Sequence, residues 1–513
     1  MSNTSTTKNI RSDYLNGGTS LQEFYQYPVQ NPDFSQIISD KSTEKIDRKS
    51  LQEVVRRQYA GLELGEAVQE NIDRLGHENT FTITTGHQLV LMGGPMFTVY
   101  KVMTAVKLAE ELSQRYPAQQ FVPIFWIHTE DHDFEEINHY FSGFGEKQTY
   151  AGTFKSKVGN HILEPSIRDV IPAHFSEELK ACWQPGRSLA EAFRHFMHLL
   201  FAPYGVVMLD ADDPALKARF RAVLEQELTQ STAWSAVNQT SEAMTEAGYK
   251  LQISPREINL FYLDEEGRNR IVAENGHYAA VNRNLTWSKE EMLALASEQP
   301  ERFSPNVSLR PLYQEMILPN LCYIGGWGEL SYWLQLKGVF ARFETNFPLL
   351  LPRMSGTIFS EEQYAAWQAL GFDTTDIGTK LNELYTQYLP QVWDSKPLLA
   401  LRGELERNLE DLHQYIETEI SETLARSAVA LQVKTLEFLN NIEKKAGKVI
   451  RNQQPEPFRK IESIKLAVQP DGMVQERVLG LAGFSQYAPE RILKAVYEAC
   501  EPLNLVHSYL ILT

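Results

Sequence analysis

His128, Glu130, Asp131, His132 and Asp133 crowd acids and imidazoles onto a few neighbouring positions, and Glu135, Glu136 and His139 follow close behind. Such a cluster can orient an amine and take its proton, or it can hold a divalent cation. Asp131, His132 and Asp133 are the candidates for the catalytic proton transfer, with His128 and Glu130 as substrate contacts. The spacing matches neither HExxH nor another strong zinc signature, so no metal is assigned. A cation held by His128, Asp131 and His132 would instead make the chain a metal-dependent hydrolase. In a plainer reading the acids only cap a helix that begins near Phe134.

Upstream, Thr85, Gly86, His87 and Gln88 open a loop that runs on through Gly93, Gly94 and Pro95. Glycines there let backbone N–H groups approach a phosphate or carboxylate, and the dipole of the following helix favours the anion. The loop is neither GxGxxG nor a Walker sequence, because Lys101 falls too deep in the helix. Downstream, Asn306, Arg310, Gln314 and Glu315 share one loop-to-helix face, with Trp327, Glu329 and Tyr332 beyond the Gly325-Gly326 turn. An arginine fork among amides and aromatic faces can clamp a sugar-like or nucleotide ligand. The alternative makes the tryptophans core and gives Arg310 a buried carboxylate. Arg353 and Ser355 form a nucleotide-loop candidate or a mere surface turn.

Elements must carry these sets to one place. The β-branched run Phe81 to Thr85 predicts a strand, the stretch from Met96 to Leu112 a helix, and Val122 to Ile127 a second strand. In a parallel βαβ unit both strand ends open on the same sheet edge, where doubly wound folds bind ligands. A helix from Ser188 to Leu200 and the strand GVVMLD from Gly205 to Asp210 repeat the step, and FPLLLP from Phe347 to Pro352 is read as the last buried strand. The expected fold is α/β: a Rossmann-like, doubly wound parallel sheet with insertions near 141–187, of β character, and 225–301, holding a helical stretch and a hairpin around Asp264-Glu265-Glu266-Gly267. The polar, glycine-rich and aromatic block from Phe303 to Trp333 suits a binding surface better than a plain core.

From about Thr374 the pattern changes. Leu405, Leu409, Leu412, Ile416, Ile420, Leu424, Ala428 and Leu431 recur at helical spacing, and the seam continues through Leu439, Ile442 and Val449 until Pro455 and Pro457 stop it. This predicts one long helix and a returning one from Phe458, a coiled-coil arm that hides its seam in a homodimer; an intramolecular bundle is the alternative. The domains expected are 1–373 as core, 374–472 as arm, and 473–513 as a tail folding back on the core.

Composition narrows the class. A chain of 513 residues with 22% charged and 43% hydrophobic residues can bury a large core. Its net charge of -17 argues against general binding to nucleic acid or anionic lipid. The three cysteines, Cys182, Cys322 and Cys500, form neither a CxxC pair nor a disulfide framework, which fits a reducing compartment. No signal peptide or membrane span is legible, so a cytoplasmic enzyme is expected.

Taken together, TTGHQLVLMGGPMFTVYK, VPIFWIHTEDHDFEEINH, SPNVSLRPLYQEMILPNLCYIGGWGELSYWLQLK, LPRM and the arm closed by QERV resemble the bacillithiol biosynthesis cysteine-adding enzymes. The resemblance implies a core related to class I aminoacyl-tRNA synthetases, two connecting-peptide insertions and a dimerising coiled coil. It also implies the joining of L-cysteine by an amide to the amine of glucosaminyl-malate, with ATP or another nucleotide as one route of activation. Met92 to Pro95 occupy the place of the synthetase HIGH histidines, and Arg353-Met354-Ser355 partly echoes KMSKS. On this reading Gly93 and Gly94 offer bare amides to developing negative charge, Arg310 binds the malyl carboxylates, and Trp327 and Tyr332 pack the sugar. A non-catalytic coiled-coil assembly protein is the remaining alternative.

Overall fold

Five parallel strands make the frame of the N-terminal unit: β1 (Thr80–His87), β2 (Gln120–Ile127), β3 (Val207–Asp210), β4 (Asn320–Gly325) and β5 (Leu349–Pro352), ordered β5-β4-β1-β2-β3. The chain winds outward from β1 to β3, returns, and winds the other way through β4 and β5, the Rossmann-like doubly wound arrangement. A computed structural model describes residues 8–143, 145–154, 157–274, 276–281 and 283–513 of the chain. Within it two compact units separate, one running to Thr357 and including Glu476–Leu510, the other holding Ile358–Gln475 and Ile511–Thr513.

The strands are near-continuous apolar runs because both faces are covered, as parallel sheets require. Pro123 is tolerated in β2 because it pairs with Ile83 of β1, while pairing with β3 starts only at Ile124. Helix α1 (Met96–Arg115) packs on β1 and β2, burying Met96, Val99, Val102, Met103, Val106 and Leu108 among others. Its buried residues fall on nearly every side, which explains why no sharp amphipathic stripe marks it in the sequence.

Several expectations change in detail. β1 continues through Gly86 and His87, so these lie in the strand rather than in a loop. The centre of the Phe303–Trp333 block is the fully buried strand β4, a core element and not a binding surface. The helical stretch from Glu225 breaks at Ser231, whose φ of 49° ends one helix and begins the next. The second insertion's strands form a five-stranded antiparallel sheet that takes in Phe303–Pro305, beyond the expected end near Glu301. In the first insertion the β character is limited, among the described residues, to His139–Phe141 paired with Lys147–Thr149; Phe144, Lys155 and Ser156 lie outside those described.

The second unit has its own core of Phe359, Trp367, Leu384, Phe458, Ile461 and Ile464. Its arm is a hairpin of α2 (Lys396–Glu419) and α3 (Glu422–Gln453). The single long helix is thus corrected: the chain reverses at Ile420-Ser421, with Ser421 capping α3, and Pro455 merely starts the next helix. Arg402 pairs with Glu443 at 2.8 Å and Gln432 donates to Glu410 at 3.0 Å, the mirrored spacing of antiparallel helices.

Candidate functional site

Register places the carboxyl ends of the strands on one edge: His87 is beside Ile127, Ile127 beside Asp210, and Gly325 beside Pro352. Above that edge lies a polar cleft of about 330 Å³. His128, Thr129, Glu130 and Asp131 reach it from the end of β2, Asp212 from the end of β3, and Asn306, Arg310 and Tyr332 from the segments flanking β4. Gln88 closes one side and also lines a neighbouring, largely apolar cavity of about 380 Å³ with His87, Gly94, Phe97, Tyr140 and Phe141. The glycine loop and the acid cluster therefore meet at Gln88 but open into two adjoining chambers.

Asp131 is the best-placed acid. Its carboxylate accepts from Gln88 Nε2 at 2.7 Å and from the His132 backbone N–H at 2.8 Å. Burial opposes its charge, but the hydrogen bonds from His132 and Gln88 prevail and hold it well below the usual carboxylate range. Such a carboxylate stays ionised, so it suits binding an ammonium group better than accepting a proton. Gly86 gives His128 its room: a Cβ at Gly86 would lie 2.7 Å from the Trp126 carbonyl oxygen and 3.2 Å from His128 Nε2. Burial, and then the Arg310 guanidinium, keep the His128 imidazole well below its ordinary pKa and hence neutral.

Arg310 sits among three aromatic rings, 5.6 Å from the centroid of Trp126 and 5.9 Å from those of Tyr323 and Trp333. Nη1 donates to Gln314 Oε1 at 3.0 Å, whereas Nη2 is buried without an acceptor among the described residues. Among the described residues no carboxylate takes the place that the plainer reading gave a buried partner of Arg310. Glu315, on the same helix, instead accepts from Gln314 at 2.8 Å and from Asn320 at 2.7 Å and lies 3.5 Å from Lys41. Asn320 begins β4, so Glu315 stands at the opposite edge of the sheet from the cleft. Burial raises its pKa to about 7. Gln314 is fully buried and reaches the cleft only through Arg310. Asn306 lines the cleft while donating to Asn259 Oδ1 at 2.9 Å.

Other expected site residues lie elsewhere. His132 and Asp133 are exposed and face a separate depression beside Phe134 and Tyr150. Asp133 caps the short helix Phe134–Ile137, accepting from the Glu136 N–H at 3.3 Å, as the plainer reading held. With His132 outside the cleft, the set His128, Asp131 and His132 lacks its third ligand. Among the described residues no group of three or more His, Cys, Asp or Glu side chains is placed to hold a metal ion.

The bare amides assigned to the glycine loop are also corrected. Gly93 N–H donates to the Val90 carbonyl at 3.2 Å and Gly94 N–H to that of Leu91 at 3.1 Å, both glycines having positive φ. The Met96 N–H, at the start of α1, is taken by Leu479 at 2.7 Å, so the loop holds no phosphate cradle of the expected kind. Thr85 Oγ1 is bound to the Ile324 carbonyl at 2.9 Å inside the sheet. Lys101, set aside in the sequence, bridges β1 and the helix Trp327–Gln335 that follows β4 by donating to the Gly86 carbonyl at 3.0 Å and to Glu329 at 2.7 Å. Glu329 also accepts from the Gly326 N–H at 2.8 Å and is held at about 2 because Lys101 outweighs burial, so it is a strut and not a ligand clamp. Trp327 packs at 6.4 Å from Tyr14 with Arg11 over its ring, away from the cleft lining. Arg353 and Ser355 both bind Glu476, at 2.6 and 3.0 Å, which ties down the expected nucleotide loop.

Two charged cleft residues escaped the sequence reading. Asp212 stood in plain view after GVVMLD, and the rule that sites gather at strand ends could have found it. Arg268 comes from the hairpin of the second insertion, where nothing in the local pattern separates it from a solvated charge.

A doubly wound parallel core with a charged cleft at its carboxyl edge, and a separate unit built around a helical hairpin, defines a Rossmann-like enzyme core joined to a coiled-coil domain. Residues 1–354 match the bacillithiol biosynthesis BshC N-terminal Rossmann-like domain, and residues 356–512 match the BshC C-terminal coiled-coil domain. The chain belongs to the BshC family of bacillithiol biosynthesis, an enzyme family whose named relatives are called ligases. A relative from Cytophaga hutchinsonii, named "Putative cysteine ligase BshC", is 35% identical over 96% of this chain and 94% of its own. Relatives of the same name from Flavobacterium johnsoniae and Geobacillus thermodenitrificans are 33% and 29% identical, over 96% and 92% of this chain and 95% and 92% of theirs.

Proposed function

We propose that this protein is a carbon–nitrogen ligase that joins L-cysteine to the amine of glucosaminyl-malate, the final step of bacillithiol biosynthesis, and that the polar cleft is its acceptor site. The observation that carries the reading is Arg310, a half-buried guanidinium set among aromatic rings whose enclosed Nη2 has no acceptor among the described residues. A cation held among aromatic rings with one N–H enclosed and unanswered is arranged for an anion from the ligand. A malyl carboxylate supplies one, bound in a fork. The acidic wall at Asp131 offers the complementary place for the sugar ammonium.

The ammonium first loses one proton to solvent; its nitrogen then attacks the carbonyl carbon of an activated cysteine, and the C–N bond forms as the bond from that carbon to the activating group breaks, the group leaving with the electron pair. Asp131 holds and orients the amine, and the neutral His128 imidazole accepts the second proton, released from the nitrogen as the amide forms. Carboxylate binding at Arg310 offsets the charge that depresses His128, so acceptor binding itself makes the imidazole a better base. Because the glycine-loop amides are engaged, no step is drawn through a nucleotide there. Incubation of the protein with cysteine and glucosaminyl-malate, with and without ATP, followed by mass analysis, tests the reading. The amide product is expected in at least one arm. Its absence in both, and with pre-activated cysteine, contradicts it.

The chain acts as a homodimer through the arm, whose Leu424, Leu431, Phe438, Ile442 and Val449 form an apolar stripe left open to solvent. Three unpaired, buried thiols fit a cytoplasmic setting. No described helix is long and apolar enough to cross a membrane.

A further inference from the structure

Arg268 enters the cleft from outside the parallel sheet, on the strand Gly267–Glu274 of the inserted hairpin. Its guanidinium stacks 4.0 Å from the Phe261 ring centroid, Nε donates to Ser304 Oγ at 3.0 Å, and Nη2 donates to the Pro305 carbonyl at 2.9 Å. These contacts fix a flat cation at one end and leave Nη1 without an acceptor among the described residues. Two acids stand near enough to feel its charge, but both have other partners. Glu130 is paired with Lys217, and Asp131 accepts from Gln88 and from His132. A rigid guanidinium on a cleft wall, hydrogen-bonded only to neutral groups, is arranged for a ligand's anion. Arg310 makes the same demand from another wall of the same cleft.

We propose that Arg268 and Arg310 together form a two-guanidinium receptor for a dicarboxylate, and that Arg268 is the residue that tells a two-carboxylate aglycone from a one-carboxylate one. The inference rests on the ligase reading above and says how that site selects its sugar acceptor. With one carboxylate missing, the ligand still covers both arginines but compensates only one. The desolvated guanidinium left over then works against binding. Selection of the aglycone thus resides on an insertion, whereas the amine is handled at the end of β2. The two functions can be altered separately.

Calorimetric titration with glucosaminyl-malate and with the glucosaminyl-lactate analogue, which lacks the distal carboxylate, reads the discrimination directly. Wild type is expected to prefer the malyl compound. Arg268→Gln should weaken malyl binding roughly 10- to 100-fold, the worth of a charge-assisted hydrogen bond, and leave lactyl binding nearly unchanged. Arg268→Lys, which keeps the charge and the apolar stem, should retain part of the preference. Ser304→Ala, which removes only the anchoring hydroxyl, should keep most of it, and this separates recognition from support of the hairpin. An unchanged malyl-to-lactyl ratio in both Arg268 variants overturns the inference. So does a wild type that binds the two compounds equally while still forming product. A wild type that binds neither and forms no amide overturns the ligase reading itself.

Discussion

Arg310 and His128 stand on walls of one cleft, and their charges are linked. Burial comes first and the Arg310 charge second in keeping the imidazole neutral. The sign is definite: His128 takes up its proton well below 6.5 in the native protein and near 6.5 once unfolded, so its contribution to stability is complete above 6.5 and is lost progressively as the pH falls from there through the lower native value. Replacing Arg310 by Gln, or saturating it with a carboxylate ligand, should move the His128 titration upward, with burial still holding it under its ordinary value. Ring-labelled histidine followed by NMR checks this. A His128 signal that titrates identically in wild type and Arg310→Gln would break the link on which its role as base depends. At this scale the sequence told much about residue type and less about reach. The acids and imidazoles after β2 were visible as a group, but only the bend at Asp133, which caps a helix, decides that Asp131 faces inward and His132 and Asp133 do not.

At the scale of elements, periodicity served best where one face is buried. The strands β1, β2 and β3 were legible because an apolar run ending in polar residues has few other uses. β4 was hidden since Asn320–Gly325 lies between polar and aromatic segments that resemble a binding surface, and its strand character comes from pairing with β1 and β5. In the arm the heptad pattern was plain, yet the reversal at Ile420-Ser421 was not, because neither Gly nor Pro marks it. Hairpin formation buries Leu409, Ala425 and Ala428 but leaves Phe438 70% exposed. Leu424, Leu431 and Phe438 are spaced by heptads, the seam of a second helical contact. Leu431→Glu combined with Phe438→Glu should therefore leave the fold intact and halve the mass seen by sedimentation. A wild-type chain that is already a monomer, or a variant that stays dimeric, would place the dimer contact elsewhere.

Across the whole molecule, the cleft joins residues from Gln88 to Tyr332, drawn from three strand ends, the segments on either side of β4 and an inserted hairpin. No local motif could announce such an assembly; parallel pairing makes it by bringing distant termini to one edge. A chain carrying a net charge of -17 places two arginines in this cleft, with Lys101 buried nearby as a strut, which marks the site more clearly than any single sequence match. The central claim is that one cleft holds an amine at Asp131 while arginine binds the acid end of the same ligand. Comparing equilibrium binding of glucosaminyl-malate with that of its N-acetyl derivative, in wild type and in Asp131→Asn, measures this directly. The free amine should be preferred by wild type about tenfold or more, and the substitution should erase that preference without abolishing binding of the N-acetyl compound. A preference that survives in Asp131→Asn would contradict the account.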